Sequence, residues 1–203
     1  MTLPLCVRID ADDVRSQSAL LADGWREIEV LVTLANHWPQ YRSQATGCLV
    51  SGPSDAERIM EIAALSTGHD RLSRDPAIPK EEAVEMRLSL IRNALRAEAH
   101  ATMVYRDPSA APVKGFLIHT WAEPLNIYRS DRSWRPVTIP VRIVFMAVDP
   151  AYRREGIGYA MVQTLMAMYC YAVAGTQEHN EGALGLYGKF GLEPIRRQRT
   201  FHK

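Results

Sequence analysis

The pattern of apolar and polar positions changes period several times along the chain, and each change marks an element. Cys6–Ile9 reads as a short strand. Ala11–Asp23 reads as a helix, opened by Asp12 or Asp13 and stopped by Gly24 just past its end. Trp25–Leu34 is rich in β-branched residues and partly alternates, which predicts a strand. The polar, turn-forming stretch from Ala35 to Gly52 is expected to link this opening unit to the rest. Ser54-Asp55-Ala56-Glu57 has the spacing of a capping box, and Ile59, Ile62 and Ala63 give the helix after it one apolar face. Two prolines interrupt Asp70–Pro79. Lys80–Arg96 then predicts a long helix with Val84, Leu88, Ile91 and Leu95 on its buried face and acidic residues in its first turn.

The second half turns to strands. Ala101–Arg106 and Val113–Trp121 flank the turn-forming residues Asp107–Pro112 and predict a hairpin. Ala122–Pro140 holds three prolines and interleaves arginines with Trp and Tyr, the composition of a long loop. Val141–Val148 is almost wholly apolar, as a central strand must be. A loop over Asp149–Gly156, a helix from Gly158 to about Cys170, a strand over Tyr171–Thr176 and a helix over Asn180–Phe190 follow, with Gly191 and further strand to Phe201. The order helix–Gly24–strand recurs as helix–Gly191–strand, readable as chance or as reuse of one local form.

Composition narrows the function classes. Apolar residues at 47% and charged residues at 23% are ordinary for a globular protein. Twenty-four Lys and Arg against 23 Asp and Glu leave a formal charge of +1, which excludes a polybasic nucleic-acid binder and an acidic tail. Cys6, Cys48 and Cys170 are odd in number and far apart, so neither a disulfide framework nor a zinc knuckle is expected, and a reducing compartment is. No signal-peptide pattern opens the chain. The longest apolar stretch, Tyr159–Gly175, is short for a bilayer span and reads as a buried helix entering a strand. A soluble cytoplasmic protein without membrane or nucleic-acid partners is the expectation. The six histidines are scattered, so no metal is expected. The phosphate loop of NTPases, the serine-nucleophile elbow and the His-Glu-x-x-His motif are all missing, and Met161 stands where a dinucleotide fingerprint needs its third glycine.

The informative segment is Val141–Ala174. A buried strand ends at Val148-Asp149-Pro150, and Ala151-Tyr152-Arg153-Arg154-Glu155-Gly156-Ile157-Gly158 leads straight into an apolar helix. Such a loop points backbone N–H groups outward at the positive end of the helix dipole, which is an anion site. Gly156 and Gly158 permit close approach of a phosphate, and Arg153 and Arg154 add charge at the rim. The plainer alternative is an ordinary strand-to-helix turn with its arginines in solvent.

Arg153-x-x-Gly156-x-Gly158 after that strand resembles the acetyl-CoA signature of the GCN5-related N-acetyltransferases, the GNAT superfamily. Asn180-x-x-Ala183-x-x-Leu186-Tyr187, with Gly191-Leu192 beyond it, resembles the second landmark of the same family, Leu192 standing in for the usual phenylalanine. The resemblance covers about residues 50–203. It implies an α/β (α+β) GNAT fold: a central mixed, mostly antiparallel sheet with splayed parallel strands and flanking helices. To this a small strand–helix–strand unit over residues 1–45 would be added. It implies an N-acetyltransferase that takes acetyl-CoA as donor. Met146, Ala147 and Val148 would bind pantetheine through their backbone, and Arg153, Arg154, Glu155, Gly156, Ile157, Gly158 and Tyr159 would receive the pyrophosphate. Asn180 would hold the pantetheine arm, and Tyr187 would protonate the leaving thiolate. Tyr187 can equally be a buried helix aromatic. No carboxylate lies on Val141–Val148, so the base that takes the ammonium proton is expected at His119 or Glu123, or is water.

The acceptor must be read from the rest of the chain. Its layout resembles the bacterial acetyltransferases that act on a nucleotide-activated 4-amino-4,6-dideoxy sugar, of the dTDP-fucosamine type. The shared features are the opening unit, the helix pair, Thr176-Gln177 before the Asn180 helix, and the C-terminal Thr200-Phe201-His202-Lys203. Tyr128 and Trp134 with Arg129, Arg132 and Arg135 suit a base and a diphosphate, and Arg196, Arg197 and Arg199 make a second basic cluster. Both clusters can also be solvated surface. A peptide N-terminus, an antibiotic or another small amine is the alternative acceptor, and a non-catalytic acyl-CoA-binding module is the alternative class. A second copy of the chain is a candidate partner.

Overall fold

The computed structural model describes residues 4–36, 47–66, 70–106, 112–122, 140–169 and 171–203. Strand β1 (Cys6–Asp10) leads into helix α1 (Val14–Ala22), whose first turn is capped by Asp13 accepting from the Ser16 N–H at 3.0 Å. Gly24, at φ +78°, turns the chain left-handed into β2 (Arg26–Asn36), a conformation that costs glycine nothing. A short strand β3 (Cys48–Val50) lies within the stretch expected to be linker.

Helix α2 (Ala56–Leu65) begins one residue later than a capping box at Ser54 would place it. Pro53–Asp55 forms a single tight turn, and the buried Asp55 carboxylate accepts from the Gly52 N–H at 2.9 Å. Its expected face is buried: Ile59, Ile62 and Ala63 all pack inward. Asp70 caps a one-turn helix α3 (Arg71–Arg74) through the N–H groups of Leu72 and Ser73. Helix α4 (Lys80–Arg96) has the expected bounds but is rotated. Ala83, Arg87, Ile91 and Ala94 are buried, while Val84, Leu88 and Leu95 are half-buried.

Strands β4 (His100–Tyr105) and β5 (Gly115–Trp121) pair antiparallel, as expected for a hairpin. Strand β6 (Val141–Val148), helix α5 (Ile157–Met168), strand β7 (Ala172–Gln177), helix α6 (Glu181–Gly188) and strand β8 (Leu192–His202) complete the chain. The eight strands form one sheet in the order β1-β8-β2-β7-β6-β5-β4-β3. Among the described residues only β6 and β7 run parallel. The opening unit thus enters the same sheet, with β2 inserted between β7 and β8 and antiparallel to both.

Alternation along β5 fills two layers. Leu117 packs with Met161, Leu165 and Phe190 on the α5 face, whereas Phe116 and Ile118 pack with Ile59, Ile62 and Ile91 on the α2–α4 face. Each such side chain fully withdrawn from water contributes about 1.5–3 kcal/mol. The parallel pair is the exception to continuous pairing. β6 meets β7 only through Val141–Ile143 against Ala172–Ala174, and from Val144 onward the two part. β6 stays paired to β5 as far as Val148, and β7 stays paired to β2 as far as Gln177. The register of β6 on β5 shifts between Ile118 and His119, so Val144 is the extra residue of a bulge at the point of parting.

Candidate functional site

The loop after β6 is held from below. Asp149 accepts from the Ala151 N–H at 2.9 Å and pairs with Arg58 of α2, which also donates to the Val113 carbonyl at 3.2 Å. Arg154 (φ +72°) and Gly156 (φ +81°) are both left-handed, and α5 starts at Ile157. Through this turn the N–H groups of Arg154 to Tyr159 find no protein acceptor among the described residues. They face outward at the N-terminus of a twelve-residue helix, which favours an anion. Gly156 is required by its φ. Gly158 is not: a Cβ there would lie 3.5 Å from Leu186 Cδ2, an ordinary contact. Nothing in the fold demands glycine at 158.

The other expected loop residues divide. Arg153 folds back, its Nε donating to the Val148 carbonyl at 3.3 Å. Arg154 is exposed, Glu155 lies 3.9 Å from Lys114 Nζ, and Tyr159 stacks on Phe190 at 4.7 Å. Ile157 has its side chain in the core, so only its N–H can serve a ligand.

Where β6 and β7 part, a cleft of about 460 Å³ opens, lined along β6 by Met146, Ala147 and Val148 and opposite by Asn180 and Tyr187. Asn180 caps α6, its Oδ1 accepting from the Ala183 N–H at 3.1 Å, which leaves its NH₂ to donate elsewhere. Tyr187 is 5% exposed, and burial pushes its hydroxyl up to about 12. It therefore stays protonated, a donor and not a base.

Charged side chains that the sequence did not point to line the far part of the same cleft: Arg8, Glu29, Asp70, Arg71 and Arg87. Glu29 of β2 is buried, and neither carboxylate oxygen accepts a hydrogen bond of ordinary geometry. Its nearest cation is Arg8 Nη2 at 3.9 Å, with Gln177 and Arg71 also nearby. Burial raises its pKa, Arg8, Gln177 and Arg71 pulling it back only in part and Asp70 adding to the rise. Arg87 pairs with Asp70 at 2.7 Å, and Arg71 Nη1 donates to His202 Nε2 at 3.1 Å. A glutamate breaking the apolar run of β2 at Ile28-Glu29-Val30 was the sequence signal for the first of these residues, and Arg87, between Met86 and Leu88, carried none.

His119 does not line this cleft. It is buried on the α5 face of β5, its ring 5.4 Å from that of Tyr169, and burial and then His100 lower its pKa. The strand alternates, so His119 points away from the side on which Phe116 meets the cleft. Glu123, Tyr128, Arg129, Arg132, Trp134, Arg135 and Cys170 lie outside the described residues. The basic cluster on β8 is neutralised: Arg196 pairs with Asp10 at 2.7 Å, Arg197 with Glu178 at 3.3 Å and Arg199 with Glu27 at 2.7 Å. Among the described residues no group of three or more His, Cys, Asp or Glu could hold a metal, and no helix is long and apolar enough to cross a membrane.

Residues 130–192, from before β6 to the start of β8, match the profile of the Acetyltransferase (GNAT) family. Solved structures share the fold over nearly the whole chain. A GCN5-related N-acetyltransferase from Sphaerobacter thermophilus matches at TM-score 0.58 and 16% identity, covering 98% of this chain and 60% of its own. One from Kribbella flavida matches at TM-score 0.54 and 13% identity, covering 98% and 68%. A conserved protein of unknown function from Staphylococcus epidermidis matches at TM-score 0.64 and 11% identity, covering 97% and 69%. The chain thus spans about three fifths to two thirds of the length of these proteins, and at such identities the likeness is one of fold. No curated protein resembles the chain closely enough to count as a match. The sheet with one parted parallel pair is the GNAT fold, and the profile match falls on the segment that forms the parted strand and the loop after it.

Proposed function

We propose that the protein transfers an acetyl group from acetyl-CoA to a primary amine by direct attack of the amine. The observation that carries this is the parting of β6 from β7 beside a loop whose N–H groups are unpaired from Arg154 to Tyr159. A diphosphate fits that loop and an extended amide chain fits the open edge of β6 at Met146–Val148. Acetyl-CoA has both parts and supplies an acetyl group activated as a thioester. The Asn180 NH₂ then donates to the amide chain, and the protonated Tyr187 hydroxyl is the acid for the departing sulfur. Edge N–H groups of β6 serve the carbonyl oxygen.

The amine must lose a proton. Glu29, buried in the same cleft with no hydrogen bond of ordinary geometry to its oxygens and a raised pKa, replaces His119 as the base. Residues 50–203 carry the donor site, and the opening unit supplies the base on β2. The acceptor reading is a nucleotide-activated amino sugar, supported by the likeness of the whole layout and by the aromatic-basic segment Tyr128–Arg135 in the sequence.

Release of the coenzyme A thiol, measured with acetyl-CoA and a panel of amines, tests the activity. Turnover of any amine, with a nucleotide-linked amino sugar favoured over the free sugar, is expected. A thermal shift with coenzyme A but no turnover would leave a binding module. Equal turnover of free and nucleotide-linked sugar would overturn the sugar assignment alone.

A further inference from the structure

A guanidinium removed from water needs its N–H groups paired. Arg87 is 3% exposed, and only Nη1 is satisfied, by Asp70 at 2.7 Å and Ser73 Oγ at 3.1 Å. Nε and Nη2 are buried without a partner. These two nitrogens form one edge of the planar guanidinium, the edge that grips two oxygens of a carboxylate or phosphate side by side. Arg87 also lines the cleft that holds Glu29 and Tyr187.

The surrounding charge has the same sense. Arg8, Arg71 and Arg87 face Glu29 and Asp70, three cations against two anions, and Asp70 is already engaged by Arg87 and by its own helix cap. Arg71 is half-buried and is aimed by His202, whose Nε2 accepts from it. A guanidinium only donates, so Nε2 accepts from Arg71, and Nδ1 on the other side of the ring faces Asp75 at 2.8 Å.

We propose that Arg87, with Arg71 beside it, is an anion subsite for the acceptor, so that the acceptor amine carries a carboxylate or a phosphate. The amine then lies toward Glu29 and the anionic group toward Arg87. This rests on reading the cleft as the acceptor site of an acetyltransferase. The two sources of the anion share this chemistry and differ in size and charge.

Matched amines separate them: propylamine against β-alanine, and ethanolamine against O-phosphoethanolamine. Turnover is measured with acetyl-CoA, and melting temperature is measured with coenzyme A saturating, so that the loop at Arg154–Tyr159 is already taken. The anionic member of at least one pair should be favoured about 10- to 100-fold in kcat/KM and should raise the melting temperature where its neutral mate does not. Arg87→Gln should remove both advantages and Arg87→Lys restore part of them. Arg71→Gln, at a less buried position, gives the same comparison should Arg87→Gln fail to fold. The pair with the larger difference identifies carboxylate or phosphate. Equal behaviour within both pairs, or an anion preference that survives Arg87→Gln and Arg71→Gln, overturns the subsite. Anion-dependent stabilisation lost in the variants, with no turnover of any amine, leaves the subsite standing and removes the transferase reading instead.

Discussion

His202 Nδ1 lies 2.8 Å from Asp75 Oδ2, and both side chains are sealed from solvent. The pair is the middle of a chain of polar contacts that runs from Arg26 through Asp75 and His202 to Arg71 in the cleft. Burial works against the charge on Asp75, but the Ala77 N–H, His202 and Arg26 outweigh it and hold the carboxyl below its usual range. His202 thereby fixes Arg71, a side chain that lines the cleft.

Replacing His202 with phenylalanine keeps the volume and removes both bonds. The buried Asp75 then loses one partner, a cost of about 1–3 kcal/mol, or roughly 2–4 °C of melting temperature per kcal/mol in a chain of this size. Because the Asp75 pKa is lowered in the fold, its contribution is present above the unfolded value, about 3.9, and is lost as pH falls through the lowered value. The variant should lose it at a higher pH than wild type in an acid titration followed by circular dichroism. KM for the amine should rise while KM for acetyl-CoA stays put. An unchanged melting temperature would show that Arg26 and Ala77 suffice for Asp75.

Gly158 separates binding from folding better than Gly156 does. Alanine at 156 would be forced into the left-handed region, at about 1–2 kcal/mol, and would confuse the two effects. At 158 a Cβ makes only ordinary contacts and sits in the first turn of α5, where alanine is the better helix former. Gly158→Ala should therefore melt within a few degrees of wild type yet lose much of the thermal shift given by coenzyme A. A full shift in that variant would move the phosphates off this loop.

The half of the cleft proposed for the donor was legible because its residues are local in sequence. The Arg153–Gly158 loop, the Asn180 cap and Tyr187 lie in two continuous segments whose spacing survives in the sequence. The strands and helices around them were legible for the same reason, since period 2 and period 3.6 are read within ten residues. The half proposed for the acceptor was not. Glu29 of β2 and Arg87 of α4 line one cleft and His202 of β8 touches it through Arg71, and β2 is there because it inserts between β7 and β8. That insertion is a choice of sheet partner, which no local pattern encodes. Arg87 was hidden for a second reason. An arginine between Met86 and Leu88 reads as solvent-facing until the helix is rotated to put Ala83, Arg87, Ile91 and Ala94 inward. His119 misled in the opposite sense, as an alternating strand offered it to either face and the packing of Tyr169 took it away from the cleft.

Tyr187 has no hydrogen-bond partner for its hydroxyl among the described residues, so phenylalanine there should leave stability unchanged or slightly raised. The hydroxyl matters when charge develops on sulfur, and Tyr187→Phe should lower kcat by about 10²–10⁴-fold with KM for acetyl-CoA little changed. With its pKa pushed up to about 12, Tyr187 should give wild-type kcat no alkaline fall below that range. A rate within about a factor of two of wild type would make Tyr187 a packing residue, since loss of an acid is a far larger effect.

Glu29 links rate and stability through one raised pKa. As a base it works only when ionised, so kcat/KM should climb with pH along a limb centred above the ordinary glutamate value of about 4.3. Glu29→Gln keeps the shape and cannot take the proton. It should lose about 10²–10⁴-fold in kcat together with that limb. The effect on stability has the opposite sign. The native state holds the Glu29 proton more tightly than the unfolded chain does, so wild type loses stability as pH rises from the unfolded value through the raised one. The amide does not titrate. Glu29→Gln should therefore melt close to wild type below about pH 4, melt higher above the raised pKa, and hold that margin on further alkalinisation. Arg8 is partly exposed and can be solvated when the carboxylate is gone, so the substitution leaves no cation stranded. A less active but more stable variant at pH 8, with the stability gain vanishing in acid, is the joint signature of a buried base. Loss of activity with loss of stability at every pH would make Glu29 a structural partner of Arg8, and unchanged activity would return the proton to water.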